Sequence, residues 1–121
     1  MPVQLSPNFY RHEFACNCGC GFDTVDAELV VVVQDIRDHF GVPVSFNSAC
    51  RCPAHNAAEG GAEHSLHLYA RAADVVVKGV MPSKVHEYLI AKYPDRYGIG
   101  KYRTFTHIDT RTNGPARWDF S

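Results

Sequence analysis

The chain has 121 residues, of which 45% are hydrophobic and 21% are charged. This balance excludes an intrinsically disordered chain and fits a single domain over residues 1–121. Twelve Lys and Arg against thirteen Asp and Glu give a formal charge of −1, so the composition offers no basic surface for nucleic acid and no polybasic membrane anchor. We therefore expect no nucleic-acid partner and no membrane partner, and we expect a monomer.

Residues 1–22 predict an irregular N-terminal segment rich in Cys and Gly. The segment has no basic stretch followed by an apolar run, so we expect synthesis in the cytosol without a signal peptide. The five cysteines of the chain form two groups, which are Cys16, Cys18 and Cys20 in this segment and Cys50 and Cys52 beyond it. Their odd number excludes complete disulfide pairing.

Three states stay open for these cysteines: reduced packing residues, a second, structural metal site, or disulfides between the two groups. The C-x-C spacing argues against the metal site, because structural zinc prefers gaps of roughly two to four residues between paired cysteines.

The remaining pattern alternates helices and strands in irregular order. Apolar periodicity and stop signals predict, in chain order, a helix over 26–40, a strand over 44–49, a short helix over 53–59, a strand over 72–77, an amphipathic helix ending at 94, and strands over 98–102 and 105–110. Asp26 is the expected N-cap of the first helix, and Ser83 that of the amphipathic helix. This order predicts an α+β fold, with a small antiparallel sheet and flanking helices.

His67 and Asp74 are candidate metal ligands. They are seven residues apart, a separation that places them on opposite faces of one continuous strand. They can converge on one metal only if the chain turns between them, and the small residue Ala70 marks where it would turn. Asp74 begins a buried strand, where a carboxylate requires a partner such as a cation. The alternative is an Asp that caps the strand and a solvated His.

His107 and Asp109 form a second candidate pair, because alternate residues of an extended strand share one face. A His followed two residues later by Asp can provide a metal ligand and a group that orients it or accepts a proton. Together with His67 and Asp74, His107 completes three ligands and leaves a fourth position open, as in catalytic zinc sites. An ordinary surface strand is the alternative.

Several motifs together resemble the zinc D-Ala-D-Ala carboxypeptidase family, which are peptidoglycan peptidases with the Hedgehog/DD-peptidase fold. Residues 65–74, SLHLYARAAD, resemble its S-x-H-x-x-G-x-A-x-D motif. Residues 48–56, SACRCPAHN, followed by a Gly-Gly pair, are similar to its S-G-Y-R-C-P-x-H-N segment. Residues 107–109, HID, with a later Trp118, resemble its closing H-[VI]-D…W pattern. Residues 8–16 are similar to the N-terminal stretch of its short, often phage-borne members.

The resemblance implies that His67, Asp74 and His107 bind one catalytic Zn²⁺. Such an ion would lower the pKa of a bound water toward ~7 and polarise a scissile carbonyl. Arg51 is implied as a catalytic and substrate-binding residue that holds a substrate carboxylate or a developing oxyanion, and Ser65 as a substrate contact. A surface salt bridge is the alternative for Arg51. The implied substrate is a peptidoglycan stem peptide, with the cleaved bond left open.

The proton acceptor departs from the family pattern. Relatives place a carboxylate or His just before the third ligand, but this chain has Thr104 and Phe105 there. Asp109 is our candidate acceptor, with orientation of a ligand as its alternative. His64 and Glu63 are outside candidates. The departure also supports a second hypothesis, a catalytically inactive binding or phage tail-assembly module of the same fold.

The resemblance implies a site of action as well. Short members of the family act on the cell wall, so we expect this chain to reach the wall after phage-type release.

Overall fold

The computed structural model describes residues 3–62 and 64–121. Within these ranges the chain forms β1 (Gln4–Ser6), β2 (Phe9–Tyr10), a 3₁₀ helix (Arg11–Phe14), α1 (Ala27–Phe40), β3 (Val44–Ser48), α2 (Pro53–Ala58), β4 (Ala72–Val77), α3 (Pro82–Lys92), β5 (Gly98–Lys101), β6 (Thr106–Asp109) and β7 (Ala116–Asp119). The predicted α+β class is confirmed, and no helix of these ranges is long and apolar enough to cross a membrane.

The first helix begins and ends as predicted. The Asp26 carboxylate accepts the N–H of Leu29 at 3.3 Å, which satisfies one of the free N–H groups of the first turn. Gly41 ends the helix in the left-handed conformation, with φ of 67°. The helix buries Leu29, Val33 and Ile36 completely, so its apolar stripe forms one wall of the core.

The third helix begins two residues earlier than the predicted cap allows. Its N-cap is Met81, and Pro82 occupies the first helical position. Ser83 is therefore in the first turn, and its predicted role as N-cap is wrong. The fixed φ of Pro82 is already suited to a first helical turn, and Pro needs no partner for an N–H.

Five of the strands form one sheet in the order β3-β4-β6-β5-β7. Neighbouring strands are antiparallel except β7, which runs parallel to β5, so the sheet is mixed. β7 was not predicted from the sequence. Its four residues, ARWD, do alternate between apolar and charged side chains, but a segment of this length after a turn is a weak strand signal.

The N-terminal segment is more ordered than the predicted irregular lead. β1 and β2 pair as a small antiparallel sheet, and the 3₁₀ helix follows directly. Strands of two and three residues carry no readable periodicity, which explains why the sequence did not predict them. Residues 1–2 of this segment lie outside the described residues.

The core lies between the helices and one face of the larger sheet. Val75 and Val77 of β4 and Ile108 of β6 are buried in the same apolar cluster as the α1 side chains. Successive residues of a strand point to opposite faces, so Asp74, His107 and Asp109 lie on the other face of the sheet. The same alternation that places apolar side chains in the core therefore places these polar side chains together on the opposite face of the sheet.

Candidate active site

Strands β4 and β6 bring Asp74 and His107 together. The two residues are 33 positions apart in sequence and are direct partners across the antiparallel pair. Nδ1 of His107 lies 3.0 Å from Oδ1 of Asp74, and both residues are buried. Strand register therefore fixes two of the three predicted ligands relative to each other.

His67 reaches the same place through a turn. Ala70 adopts a left-handed conformation with φ of 59°, and its N–H donates to the His67 carbonyl at 3.2 Å. Nε2 of His67 consequently lies 3.4 Å from Oδ1 of Asp74. The chain turns between His67 and Asp74 at the residue expected from the sequence, although a left-handed backbone costs an Ala roughly 1–2 kcal/mol.

The other ring nitrogen of each histidine is held by an acceptor. Nδ1 of His67 lies 2.5 Å from the carbonyl oxygen of Ala49, which can only accept, so Nδ1 carries the proton. Nε2 of His107 faces the Asp109 carboxylate at 2.7 Å and donates to it. Nε2 of His67 and Nδ1 of His107 are thus directed toward Asp74, as expected of metal-binding imidazoles.

These residues fit a zinc ion. Each of the three side chains offers one ligand atom, and the three atoms lie within 4.8 Å of one another. Tetrahedral ligands about 2.0–2.1 Å from zinc are separated by roughly 3.4 Å. The separations of 3.0 and 3.4 Å from Asp74 to the two histidines are close to that value.

The carboxylates of the site are ionised. Burial alone would raise the pKa of Asp74, but hydrogen bonds that the His107 and His67 rings donate when doubly protonated, without a metal, outweigh burial and hold it well below its usual range. For Asp109, burial again opposes ionisation, and hydrogen bonds from Arg111 and His107 lower the pKa well below the usual value. A negative Asp74 facing two imidazole nitrogens is an electrostatic environment that favours a cation.

Asp109 is held on several sides. Nε and Nη2 of Arg111 each donate to it at 2.8 Å, and the N–H of Gly98 donates at 3.0 Å. The side chain is fully buried. A carboxylate paired with a guanidinium and with His107 is arranged to orient that ring, which favours the orienting alternative over the proton acceptor.

Arg51 lies beside the three ligands and not on the open surface. Nε donates to the Ser48 hydroxyl at 2.9 Å, and Nη1 donates to the Asn56 side-chain oxygen at 3.3 Å. Nη2 lies 3.6 Å from Oδ2 of Asp74, and the side chain is only 14% exposed. The exposed salt bridge considered for Arg51 is thus not what the structure contains.

Ser65 supports the turn that carries the first histidine. Its hydroxyl accepts the N–H of His67 at 3.2 Å, and the residue also lines the cleft above the three ligands. The geometry gives Ser65 a part in positioning His67, while its predicted contact with a substrate stays a prediction.

An open cleft of about 880 Å³ gives access to these groups. Besides the ligands it is lined by arginines and aromatic residues, among them Arg51, Arg71, Arg111, Tyr102, Phe105 and Trp118. Nε1 of Trp118 donates to the Tyr102 hydroxyl at 2.9 Å, and the indole lies 5.1 Å from the His107 ring. His64 lines the cleft, whereas Glu63 lies outside the described residues.

Two glycines that shape the site were not predicted from the sequence. A Cβ on Gly98 would overlap the Asp109 carboxylate, and a Cβ on Gly100 would overlap the Trp118 indole. Arg111, the partner of Asp109, was missed as well. The signal was available in the Gly-x-Gly of β5, because Gly inside a short strand often marks a close approach of another group.

Comparison with known proteins gives one family. A family model described as Peptidase M15 matches residues 7–109, a range that includes the three candidate ligands, Arg51 and Ser65. Arg111 and Trp118 lie beyond the matched range. No curated protein and no solved structure matches the chain significantly.

Proposed function

The chain belongs to the peptidase M15 family of zinc-dependent peptidases, and from this premise we propose that it hydrolyses peptide bonds in the stem peptides of peptidoglycan. The observation that carries the proposal is the convergence of His67, Asp74 and His107 at the floor of an open cleft. Three ligands from protein and one position open to the cleft correspond to catalytic zinc, whereas a structural site is closed by four.

Each ligand would hold the ion through a defined atom: Nε2 of His67, Oδ1 of Asp74 and Nδ1 of His107. A zinc ion there would lower the pKa of a water molecule toward ~7 and polarise the carbonyl of the scissile bond. The carbonyl of Ala49 and the carboxylate of Asp109 keep the two rings in the required tautomer and orientation. Asp109 therefore acts as a positioning residue.

Arg51 is the residue we assign to the substrate. Its guanidinium is fixed by Ser48 and Asn56 at the rim of the ligand group, and it is permanently charged and able to bind a carboxylate through two nitrogens. The Arg111 charge is neutralised by Asp109. Arg51, which lies 3.6 Å from Asp74, and Arg71 line the same cleft. A cleft of this kind favours a peptide that carries carboxylates, as stem peptides do.

We infer that His64 accepts the proton. Among the described residues that line the cleft, the acidic or imidazole side chains other than the three ligands are Glu59, His64 and Asp109. Asp109 is bound by Arg111, and Glu59 lies 3.4 Å from His55. His64 lies three residues before the first ligand, His67, and is exposed to the cleft. An imidazole is a common general base in enzymes.

The test is digestion of purified muropeptides by the zinc-loaded protein, followed by mass spectrometry of the products. We expect a mass loss that identifies the cleaved bond, whether D-Ala-D-Ala, a cross-link or L-Ala-D-Glu. The His67→Ala variant, with its fold checked by circular dichroism, is expected to give no product. Binding of muropeptides by zinc-loaded protein without any cleavage would contradict the proposal and support the inactive binding or tail-assembly module.

A further inference from the structure

Four of the five cysteines meet at one point, away from the ligand group described above. The sulfur atoms of Cys16, Cys18, Cys20 and Cys52 all lie within 4.8 Å of one another. Sγ of Cys18 is 3.4 Å from that of Cys16 and 3.6 Å from that of Cys52. We propose that these four thiolates form a second metal site, a structural zinc site that is independent of the peptidase chemistry.

The local backbone removes the objection raised by the C-x-C spacing. That objection rests on the number of residues between the cysteines and not on the path of the backbone between them. In an extended strand, residues i and i+2 are roughly 6.6 Å apart. Here the chain turns instead: Gly19 and Gly21 have φ of 81° and 91°, a conformation open mainly to glycine. The Gly19 N–H donates to the Cys16 carbonyl at 3.3 Å, so the loop curls its three thiols inward.

The sulfur separations suit tetrahedral zinc. Thiolates about 2.3 Å from zinc are roughly 3.8 Å apart at tetrahedral angles, which is close to the separations of 3.4 and 3.6 Å. Backbone N–H groups also point at the sulfur atoms, from Cys52 to Cys16 at 3.4 Å and from His55 to Cys52 at 3.4 Å. Such donors stabilise metal-bound thiolate.

The fifth cysteine does not take part. The thiol of Cys50 donates to the Phe22 carbonyl at 3.1 Å and is buried. It therefore keeps its proton and is not one of the four clustered thiols. This corrects the sequence-based grouping, which included Cys50 among the possible ligands of a second metal. Cys50 therefore provides a matched control within the same region.

The position of the four thiols indicates what the ion would do. Cys52 follows Arg51 directly, and its partners come from the loop that follows the 3₁₀ helix. A further bond joins the same two segments, from the Cys50 N–H to the Phe14 carbonyl at 3.1 Å. Four protein ligands leave no open position on the ion. This zinc would therefore have a structural role, in which it links the N-terminal segment to the chain segment that contains Arg51.

Metal analysis of purified protein tests the proposal without measuring activity. We expect about two zinc ions per chain in the unaltered protein and in Cys50→Ser, and about one in Cys18→Ala and in His67→Ala. After replacement of zinc by cobalt, thiolate-to-cobalt charge-transfer absorption should be present in His67→Ala and absent in Cys18→Ala. Cys18 is exposed, so its truncation leaves the core intact, and Cys20→Ser provides a second exposed variant.

Two outcomes would overturn the proposal. One is an unchanged zinc content in Cys18→Ala and Cys20→Ser, with no thiolate absorption from cobalt in any variant. The other concerns alkylation of the protein after denaturation in chelator without reductant. If only one of the five cysteines is alkylated, the other four form two disulfides and are not metal-binding thiolates. Alkylation of all five under the same conditions supports the metal site. His67→Ala removes a ligand of the candidate catalytic site and leaves the four cysteines unchanged. Its metal content therefore tests the cysteine site whether or not the protein is an active peptidase.

Discussion

Nε2 of His107 lies 2.7 Å from Oδ2 of Asp109, and the same oxygen accepts a hydrogen bond from Nη2 of Arg111 at 2.8 Å. The imidazole is therefore fixed from the side opposite to Asp74. This contact leaves Nδ1 of His107 directed toward Asp74, and it is the basis for our proposal that Asp109 supports the candidate metal site.

Replacement of Asp109 by Asn should weaken zinc binding at His67, Asp74 and His107. A neutral amide loses the charge that holds Arg111 and the His107 proton, and loss of such a supporting group typically costs 10–100-fold in metal affinity. We expect that range in competition with a chromophoric chelator, and no change for the exposed control Asp95→Asn. Unchanged zinc affinity with a large loss of kcat would instead identify Asp109 as the proton acceptor.

Replacement of Arg51 by Lys should impair substrate binding. A lysine cannot reproduce the paired donors of a guanidinium, and loss of a charge-assisted contact is worth about 1.5–3 kcal/mol, or roughly 10–100-fold in KM. We expect the loss for a peptide with a free C-terminal carboxylate and a much smaller one for its amide, with the zinc content unchanged. Arg11→Lys, at an exposed ion pair, is the control. Equal effects on both peptides would exclude carboxylate recognition.

Replacement of Ala70 by Val should open the turn that delivers His67. A β-branched residue is strongly disfavoured at φ of 59°, and Ala70 is buried, so we expect a loss of about 2–4 kcal/mol in the free energy of unfolding. The measurement is denaturant unfolding in chelator. Ala70→Gly keeps the backbone conformation and should stay within about 1 kcal/mol of the parent. A tolerated valine would show that the turn is not constrained.

The two glycines of β5 should differ in their effects when each is replaced by Ala. At Gly98 the added methyl displaces the Asp109 carboxylate, so we expect roughly 10-fold weaker zinc binding. At Gly100 it displaces Trp118, the one tryptophan of the chain, so we expect a shift in tryptophan fluorescence with zinc affinity retained. Equal zinc affinities in the two variants would argue against this division of roles.

Stability should fall at alkaline pH because of Tyr97. Burial raises the pKa of Tyr97 to about 12, and nearby Glu28 acts in the same direction. The unfolded chain loses this proton near pH 10, so the favourable contribution is complete below pH 10 and disappears as the pH rises to about 12. The slope is at most about 1.4 kcal/mol per pH unit. Between those pH values, the free energy of unfolding should depend less on pH in Tyr97→Phe than in the parent. Tyr69 is exposed, so Tyr69→Phe is the control and should behave like the parent.

Local rules made His67, Asp74 and His107 candidates in the sequence, and the resemblance to a family joined them into one predicted ligand set. Strand alternation places His107 on one face, and the spacing from His67 to Asp74 requires a turn, which the structure contains at Ala70. The fold class could be predicted for the same reason, since the periodicity of the longer elements is visible within each segment.

The sequence left Asp109 open as either a proton acceptor or a group that orients a ligand. It could not favour one of the two, since the contacts of Asp109 depend on Gly98 from the neighbouring strand and on the direction of the Arg111 side chain. For the cysteines, the sequence left three states open, and the C-x-C spacing argued against a metal site. The left-handed conformation of Gly19 and Gly21, in the loop where the thiols meet, could not be predicted from that spacing. These are properties of tertiary structure and of backbone conformation at single residues, which the pattern of apolar positions does not contain.

The pairing of Asp74 with His107 across two central strands has a consequence for folding. A shift of one residue between β4 and β6 would place Thr106 or Ile108 opposite Asp74 and turn the imidazole to the apolar face. A chain misaligned in this way has no complete ligand set. Because metal binds only the correctly aligned form, binding free energy is added to that form alone. Metal binding would thus favour the correct strand register, and we expect a larger fraction of misaligned chains in the metal-free protein.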